Sequence, residues 1–273
     1  MEKFRPWLAE FVGTFALIFV GIGAIKTAGH DVLGIALAHG LTIAVFASAT
    51  MHISGGNLNP AVTFGLLCGG HMTLARAIRY WSAQLLGGFT AALICLGLFG
   101  REVVVMGTPQ LAINLTGMQG ILVEAILTFF LVFVVYGTAV DERGRGLAGF
   151  AIGATVTLDI LFGGPLTGAA MNPARVFGPA LASWFWHDHY VYWLGPLIGA
   201  ALGGFVYGLF IERKPAATNL TRSQAFRLAT AREIPSLGQF ATPVGPNAPP
   251  DNWCQAMMRF RLGHEFRISR VSQ

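Results

Sequence analysis

Two asparagines, each followed by Pro-Ala, stand out as residues able to do chemistry: Asn59-Pro60-Ala61 and Asn172-Pro173-Ala174. At residue usages near 5%, two matched copies of a given tripeptide in one chain are not expected by chance. Asn is a preferred N-cap, Pro suits the first helical position and Ala propagates well, so each box predicts a helix start that carries an amide donor. A second pair lies in Glu10-Phe11-Val12-Gly13-Thr14-Phe15 and Glu124-Ala125-Ile126-Leu127-Thr128-Phe129. Glu10 precedes its Asn by 59 − 10 = 49 residues and Glu124 by 172 − 124 = 48. A carboxylate inside an apolar helix costs on the order of 3 kcal/mol, so both are read as turned inward to accept backbone N–H groups of their own half's loop. A proton relay is the alternative. No nucleophile–base pair or phosphate loop stands out, and Cys68, Cys95 and Cys254 have no metal-ligand spacing. The chain therefore predicts no enzyme, no metal and no cofactor.

The elements that must hold these residues are membrane helices. Hydrophobic residues make up 54% of the chain and charged ones 11%, against about a quarter charged in soluble domains. Apolar stretches recur at about 7–25, 32–51, 79–99, 118–140, 147–164 and 190–211, each long enough to cross a bilayer. The first is too long for a signal peptide and contains Glu10. Three crossings separate equivalent points, so the second half lies inverted relative to the first. From Pro60 to Cys68 is about 13 Å of helix, half of a hydrocarbon core, so the boxes open re-entrant half-helices. The irregular stretches leading to them, 52–58 and 163–171, are expected to line a path, since unpaired backbone survives at that depth only against protein or a wet cavity. Small residues every fourth position, Ala83-Gly87-Ala91 and Gly195-Gly199-Gly203, predict close helix approach.

The expectation is an all-α membrane protein of six transmembrane helices and two half-helices in an inverted repeat. The channel domain is 1–211, with repeat one about 5–100 and repeat two about 118–211. Lys3, Arg5, Arg76, Arg79, Arg143, Arg145, Arg213 and Lys214 share one side against Lys26 and Arg101 on the other, which predicts cytoplasmic termini, taken here in the plasma membrane. The net charge of +5 arises after Ile211, where nine Lys and Arg face four Asp and Glu, while residues 1–211 balance at nine each. Residues 212–273 read as a basic, disordered cytoplasmic tail that could touch anionic lipid, with no pointer to nucleic acid.

Both boxes, both Glu residues and the run Met171-Asn172-Pro173-Ala174-Arg175-Val176-Phe177-Gly178-Pro179 resemble the aquaporin, or major intrinsic protein, family over about residues 5–212. The resemblance implies a homotetramer with one pore per subunit, the two Asn side chains meeting at mid-membrane. Opposed half-helix N-termini would put about half a positive charge each at the centre, a barrier to protons and cations. By motif distance the family's outer constriction falls on His39, Ile160, Ala169 and Arg175. A hydrogen-bonded core residue is the alternative reading of His39, set against its place twenty residues before Asn59. These four look like the filter of tonoplast intrinsic proteins and imply passage of water and small neutral solutes such as ammonia, urea or hydrogen peroxide. Val176 stands where glycerol channels place Asp, and Tyr192-Trp193 also looks like the water-channel side. The sequence departs from the family pattern at Asn57, where many members have His; at Asp159, an unexpected carboxylate read as paired inward; and at Ala169, where some have a mercury-reactive Cys. A small-solute facilitator with little water flux and a secondary transporter are the alternatives.

Overall fold

The structure is a computed structural model that describes residues 4–144 and 146–210. The tail expectation for 212–273 lies outside the described residues. In chain order the helices are α1 (Phe4–Ala28), α2 (Val32–Thr50), α3 (Pro60–Cys68), α4 (Leu74–Phe99), α5 (Arg101–Gly107), α6 (Gly117–Val135), α7 (Ala148–Thr167), α8 (Pro173–Ser183) and α9 (Val191–Gly208). Six of them are long and apolar enough to cross a membrane: α1, α2, α4, α6 with its continuation to Val140, α7 and α9. The protein is thus all-α among its described residues and multi-pass, with α3 and α8 as the two half-helices.

Pseudo-symmetry governs the packing. α1 packs on α4 as α6 packs on α9, and α2 meets α7 where the repeats join. Each half-helix crosses into the other repeat, α8 against α4 and α3 against α9. Small residues make these approaches possible. A Cβ on Gly87 would strike the Phe11 carbonyl, one on Gly199 the Ala125 carbonyl, and one on Gly203 the Phe129 carbonyl. The α2–α7 seam is reciprocal, because a Cβ on Gly153 would meet the Gly40 carbonyl and one on Gly40 the Gly153 carbonyl. With lipid on the outside there is no hydrophobic drive between helices, so such backbone contact supplies the association. Large apolar residues, among them Leu41, Val45, Leu122, Phe150, Phe162 and Phe205, remain on the outer surface.

Three local features depart from the sequence reading. α7 runs on to Thr167 despite Pro165, because a proline in the last turn forfeits one hydrogen bond and Gly168, at φ 79°, closes the helix in the left-handed region. The irregular backbone on the second half is therefore shorter than expected, from Gly168 to Met171. Gly100, at φ 82°, breaks α4 from the unforeseen α5, whose last residue is Gly107. Finally, α6 widens into a π-turn at Tyr136–Val140, and the Tyr136 hydroxyl donates 2.8 Å to the Gly65 carbonyl near the end of α3.

Candidate functional site

Glu10 and Glu124 are each fully buried, and each holds a loop. Glu10 Oε1 accepts the Ser54 hydroxyl (2.6 Å) and the Asn57 N–H (3.0 Å), while Oε2 accepts the Leu58 N–H (2.7 Å) and the Gln84 amide (2.8 Å). Glu124 Oε1 accepts the Thr167 hydroxyl (2.7 Å) and the Ala170 N–H (2.9 Å), and Oε2 the Met171 N–H (2.7 Å). Hydrogen bonds to a charged acceptor contribute about 1.5–3 kcal/mol each, so three or four of them outweigh an insertion cost of about 3 kcal/mol. The bonds bend the backbone: Leu58 and Met171 sit at φ 53° and 51°, a left-handed conformation rare for such residues.

That bend aims the carbonyls of Leu58 and Met171 at the opposite half. Asn59 Nδ2 donates 2.9 Å to the Met171 carbonyl, and Asn172 Nδ2 donates 3.0 Å to the Leu58 carbonyl. Each Oδ1 caps its own half-helix, accepting the Ala61 N–H at 2.8 Å and the Ala174 N–H at 3.0 Å. These bonds fix the amide orientation without ambiguity, since a backbone N–H needs the oxygen and a carbonyl needs the NH2. An amide carries two N–H groups, so each Asn spends one on the opposite loop and keeps one for a passing acceptor. Pro60 and Pro173 occupy the first helical positions, where the missing N–H is not required.

His39, Ile160, Ala169 and Arg175 line one cavity together with Asn59 and Asn172. Its volume is about 30 Å³, room for a few water molecules in single file. Arg175, 7% exposed, donates from Nε to His39 Nε2 (3.3 Å) and from Nη1 to the Gly107 carbonyl at the end of α5 (3.3 Å). His39 Nδ1 lies 2.8 Å from the Ile35 carbonyl, which can only accept. The proton of the neutral ring therefore sits on Nδ1, and Nε2 is the acceptor that orients Arg175. His39 is thus both a hydrogen-bonded helix residue and a lining residue, and the two sequence alternatives do not exclude one another. Ile160 and Ala169 leave the facing wall apolar.

The neck opens at both ends. Toward the start of α2 and the end of α5 it shares His39, Ile160 and Arg175 with an outer vestibule of about 400 Å³, bordered also by His30 and Gln110. Toward the end of α2 it shares Gly55, Asn57, Val135 and Ala139 with an inner vestibule of about 870 Å³. The neck itself is lined by Gly55–Asn57 and Ala169–Met171, while His52 and Ser54 line the inner vestibule, Gly164, Pro165 and Gly168 the outer one, and Leu58 is fully buried.

Asn57, the departure near the first box, gives its side-chain amide to the Thr63 hydroxyl (3.1 Å), which also receives Gln84 (3.0 Å). Neither described cysteine, Cys68 or Cys95, borders the neck. Sequence reasoning missed a clamp outside the carboxylates. The Tyr80 hydroxyl donates to the Ser54 carbonyl (2.7 Å) and the Tyr192 hydroxyl to the Thr167 carbonyl (2.8 Å), at matching places in the two halves. The signal was present, since Tyr80-Trp81 and Tyr192-Trp193 are a third duplicated pair, 192 − 80 = 112 residues apart.

Asp159 lies inward as expected, 4% exposed and away from the neck, but the expected pairing fails at Oδ2, which has no hydrogen-bond partner among the described residues. Removing an unsatisfied buried acceptor recovers about 1–3 kcal/mol. Asp159→Leu, of similar shape, is expected to raise Tm by about 2–10 °C with water permeability within about twofold of the parent. A lower Tm in the purified protein would show that the carboxylate is satisfied after all.

A family model described as Major intrinsic protein matches residues 1–207. Aquaporin TIP4-4 of Zea mays is 46% identical over 224 residues, covering 77% of this chain and 88% of its own. Aquaporin TIP4-1 of Arabidopsis thaliana is 48% identical over 222 residues, covering 77% and 87%. Among solved structures, the aquaglyceroporin from Plasmodium falciparum matches with a TM-score of 0.65 at 28% identity, over 76% of this chain and 94% of that one.

Proposed function

The chain belongs to the major intrinsic protein family, and from that membership we propose how this passive channel for water and small neutral solutes sorts its cargo. The observation that carries the reading is the convergence of His39, Ile160, Ala169, Arg175, Asn59 and Asn172 on one neck of about 30 Å³. Arg175 and the spare Asn N–H groups present donors to a solute oxygen or nitrogen. Ile160 and Ala169 offer it nothing polar, so a solute must be small and must accept. Water meets that demand, as do ammonia, urea and hydrogen peroxide; glycerol, with three hydroxyls to satisfy, does not. Cations meet the fixed charge of Arg175 and the positive ends of α3 and α8.

A secondary transporter would need a titratable or ion-coordinating group free to cycle. All four oxygens of Glu10 and Glu124 are occupied by loop donors, which favours the scaffold role and a passive path. The positive-inside count supports cytoplasmic termini, and that argument holds for a plasma membrane or an internal one alike. The apolar outer faces of the spans suit lipid and neighbouring copies, in keeping with the family's homotetramer.

Stopped-flow measurement on proteoliposomes tests the filter. In His39→Phe, Arg175 Nε loses its acceptor and the wall its one imidazole, so the urea-to-water permeability ratio is expected to change by about three- to tenfold. An unchanged ratio removes His39 from the filter. Solute flux with no water permeability above empty vesicles would instead favour the small-solute facilitator.

A further inference from the structure

The permeation reading uses the neck and leaves the inner vestibule unexplained. Among the described residues its charged and titratable lining consists of His52, His71 and Arg76, with no Asp or Glu. Arg76 is pinned in place: Nε and Nη2 donate to the Tyr80 hydroxyl (3.0 and 2.7 Å), and Nη2 also reaches the Ser54 carbonyl (2.7 Å). Tyr80 is 2% exposed, so the guanidinium rests on a buried support and keeps its Nη1 hydrogens for another acceptor. His52 and His71 are exposed, and His71 is set edge-on against the Tyr136 ring at 5.3 Å. The first turn of α7, Ala148–Phe150, lines the same vestibule and contains no acidic side chain. Beside the vestibule in sequence, Asp141 is engaged by Arg143, whose hydrogen bonds hold its carboxyl well below the usual carboxylate range. The concave wall thus carries one sign of charge, a geometry that concentrates counter-ions.

We propose that this inner vestibule binds a small soluble oxyanion, of phosphate or carboxylate chemistry, between Arg76, His52 and His71, and that the bound anion obstructs entry to the neck. Arg76 supplies a fixed, oriented donor pair. Each imidazole brings a ring N–H donor, and the α7 N-terminus adds partial positive charge. The anion goes no further, because past Gly55 and Asn57 the space falls to about 30 Å³. Permeation is then damped as oxyanion accumulates on that side.

The test uses the full chain in phosphatidylcholine nanodiscs, titrated with inorganic phosphate by calorimetry. Saturable binding is expected, weakened about tenfold in the double variant His52→Asn/His71→Asn. Arg76→Gln risks unseating the loop at Ser54, and the histidine pair avoids that risk. In proteoliposomes, phosphate should lower water permeability where sodium chloride of equal ionic strength does not. Absence of saturable binding, equal affinity in the double variant, or an equal effect of chloride would each overturn the site. Loss of phosphate binding in discs containing phosphatidylglycerol would assign the chemistry to a lipid headgroup and overturn the soluble-anion reading.

Discussion

Glu124→Ala is expected to yield no functional pore, with water permeability at the level of empty vesicles and little folded protein recovered from the membrane. The substitution strands three donors, the Thr167 hydroxyl and the N–H groups of Ala170 and Met171, in a fully buried place. At about 1–3 kcal/mol for each unsatisfied group, the loss is about 3–9 kcal/mol, a large part of a total stability of about 5–15 kcal/mol. Removing the carboxylate returns about 3 kcal/mol of insertion cost, which leaves a net loss of up to about 6 kcal/mol. The damage also propagates to the pore. Met171 stays left-handed because Glu124 holds its N–H, and its carbonyl is what Asn59 donates to across the membrane centre.

Glu124→Gln separates charge from geometry. Its oxygen can replace Oε1 and keep Thr167 and Ala170, but its NH2 then faces the Met171 N–H, donor to donor. We expect a folded protein with a lowered Tm and reduced permeability. Glu10→Ala should fail at least as badly as Glu124→Ala, since Glu10 holds four donors rather than three. Parent-like water permeability in Glu124→Ala, measured by stopped flow, would sink the scaffold role and reopen the proton-relay alternative.

The scaffold was legible in the sequence because its rules are local or periodic. An N-cap Asn before Pro is visible in three letters, and a Glu in an apolar run demands a reason wherever it falls. The inversion followed from counting crossings. What escaped depends on contacts between elements far apart in the chain. Arg175 rests on the Gly107 carbonyl, and nothing about residues 101–107 announces a helix ending there to receive a guanidinium. Gly40 and Gly153 meet backbone to backbone, and they lie in runs of small residues at every fourth position, Ala36-Gly40-Ala44-Ser48 and Gly149-Gly153-Thr157, that the reading of α4 and α9 passed over. The expected irregular stretch was too long on the second half alone, since the reach of α7 past Pro165 depends on how its last turn is capped. Asp159 is the opposite case: the sequence marked it as anomalous, and its orphaned oxygen keeps it so.

Arg175→Val is expected to convert the pore from cation-tight to leaky while water still passes. A unit charge held about 4 Å from a permeating cation opposes it by about 4 kcal/mol at the effective dielectric of a partly wet protein site, and each 1.4 kcal/mol is tenfold in rate. The opposed N-termini of α3 and α8 remain as a second barrier, so the expected rise in proton or potassium leak is about ten- to a hundredfold rather than the full amount. Loss of the guanidinium also frees His39 Nε2 and the Gly107 carbonyl to face the neck, replacing fixed donors with acceptors. Arg175→Lys keeps the charge but not the planar fork that spans His39 and Gly107, so it should stay cation-tight while its solute ratios shift. A pH-sensitive dye inside proteoliposomes reads the leak, and stopped flow reads the water. If Arg175→Val conducts water without any leak above the parent, the cation barrier lies at the half-helix ends and Arg175 only holds the wall together.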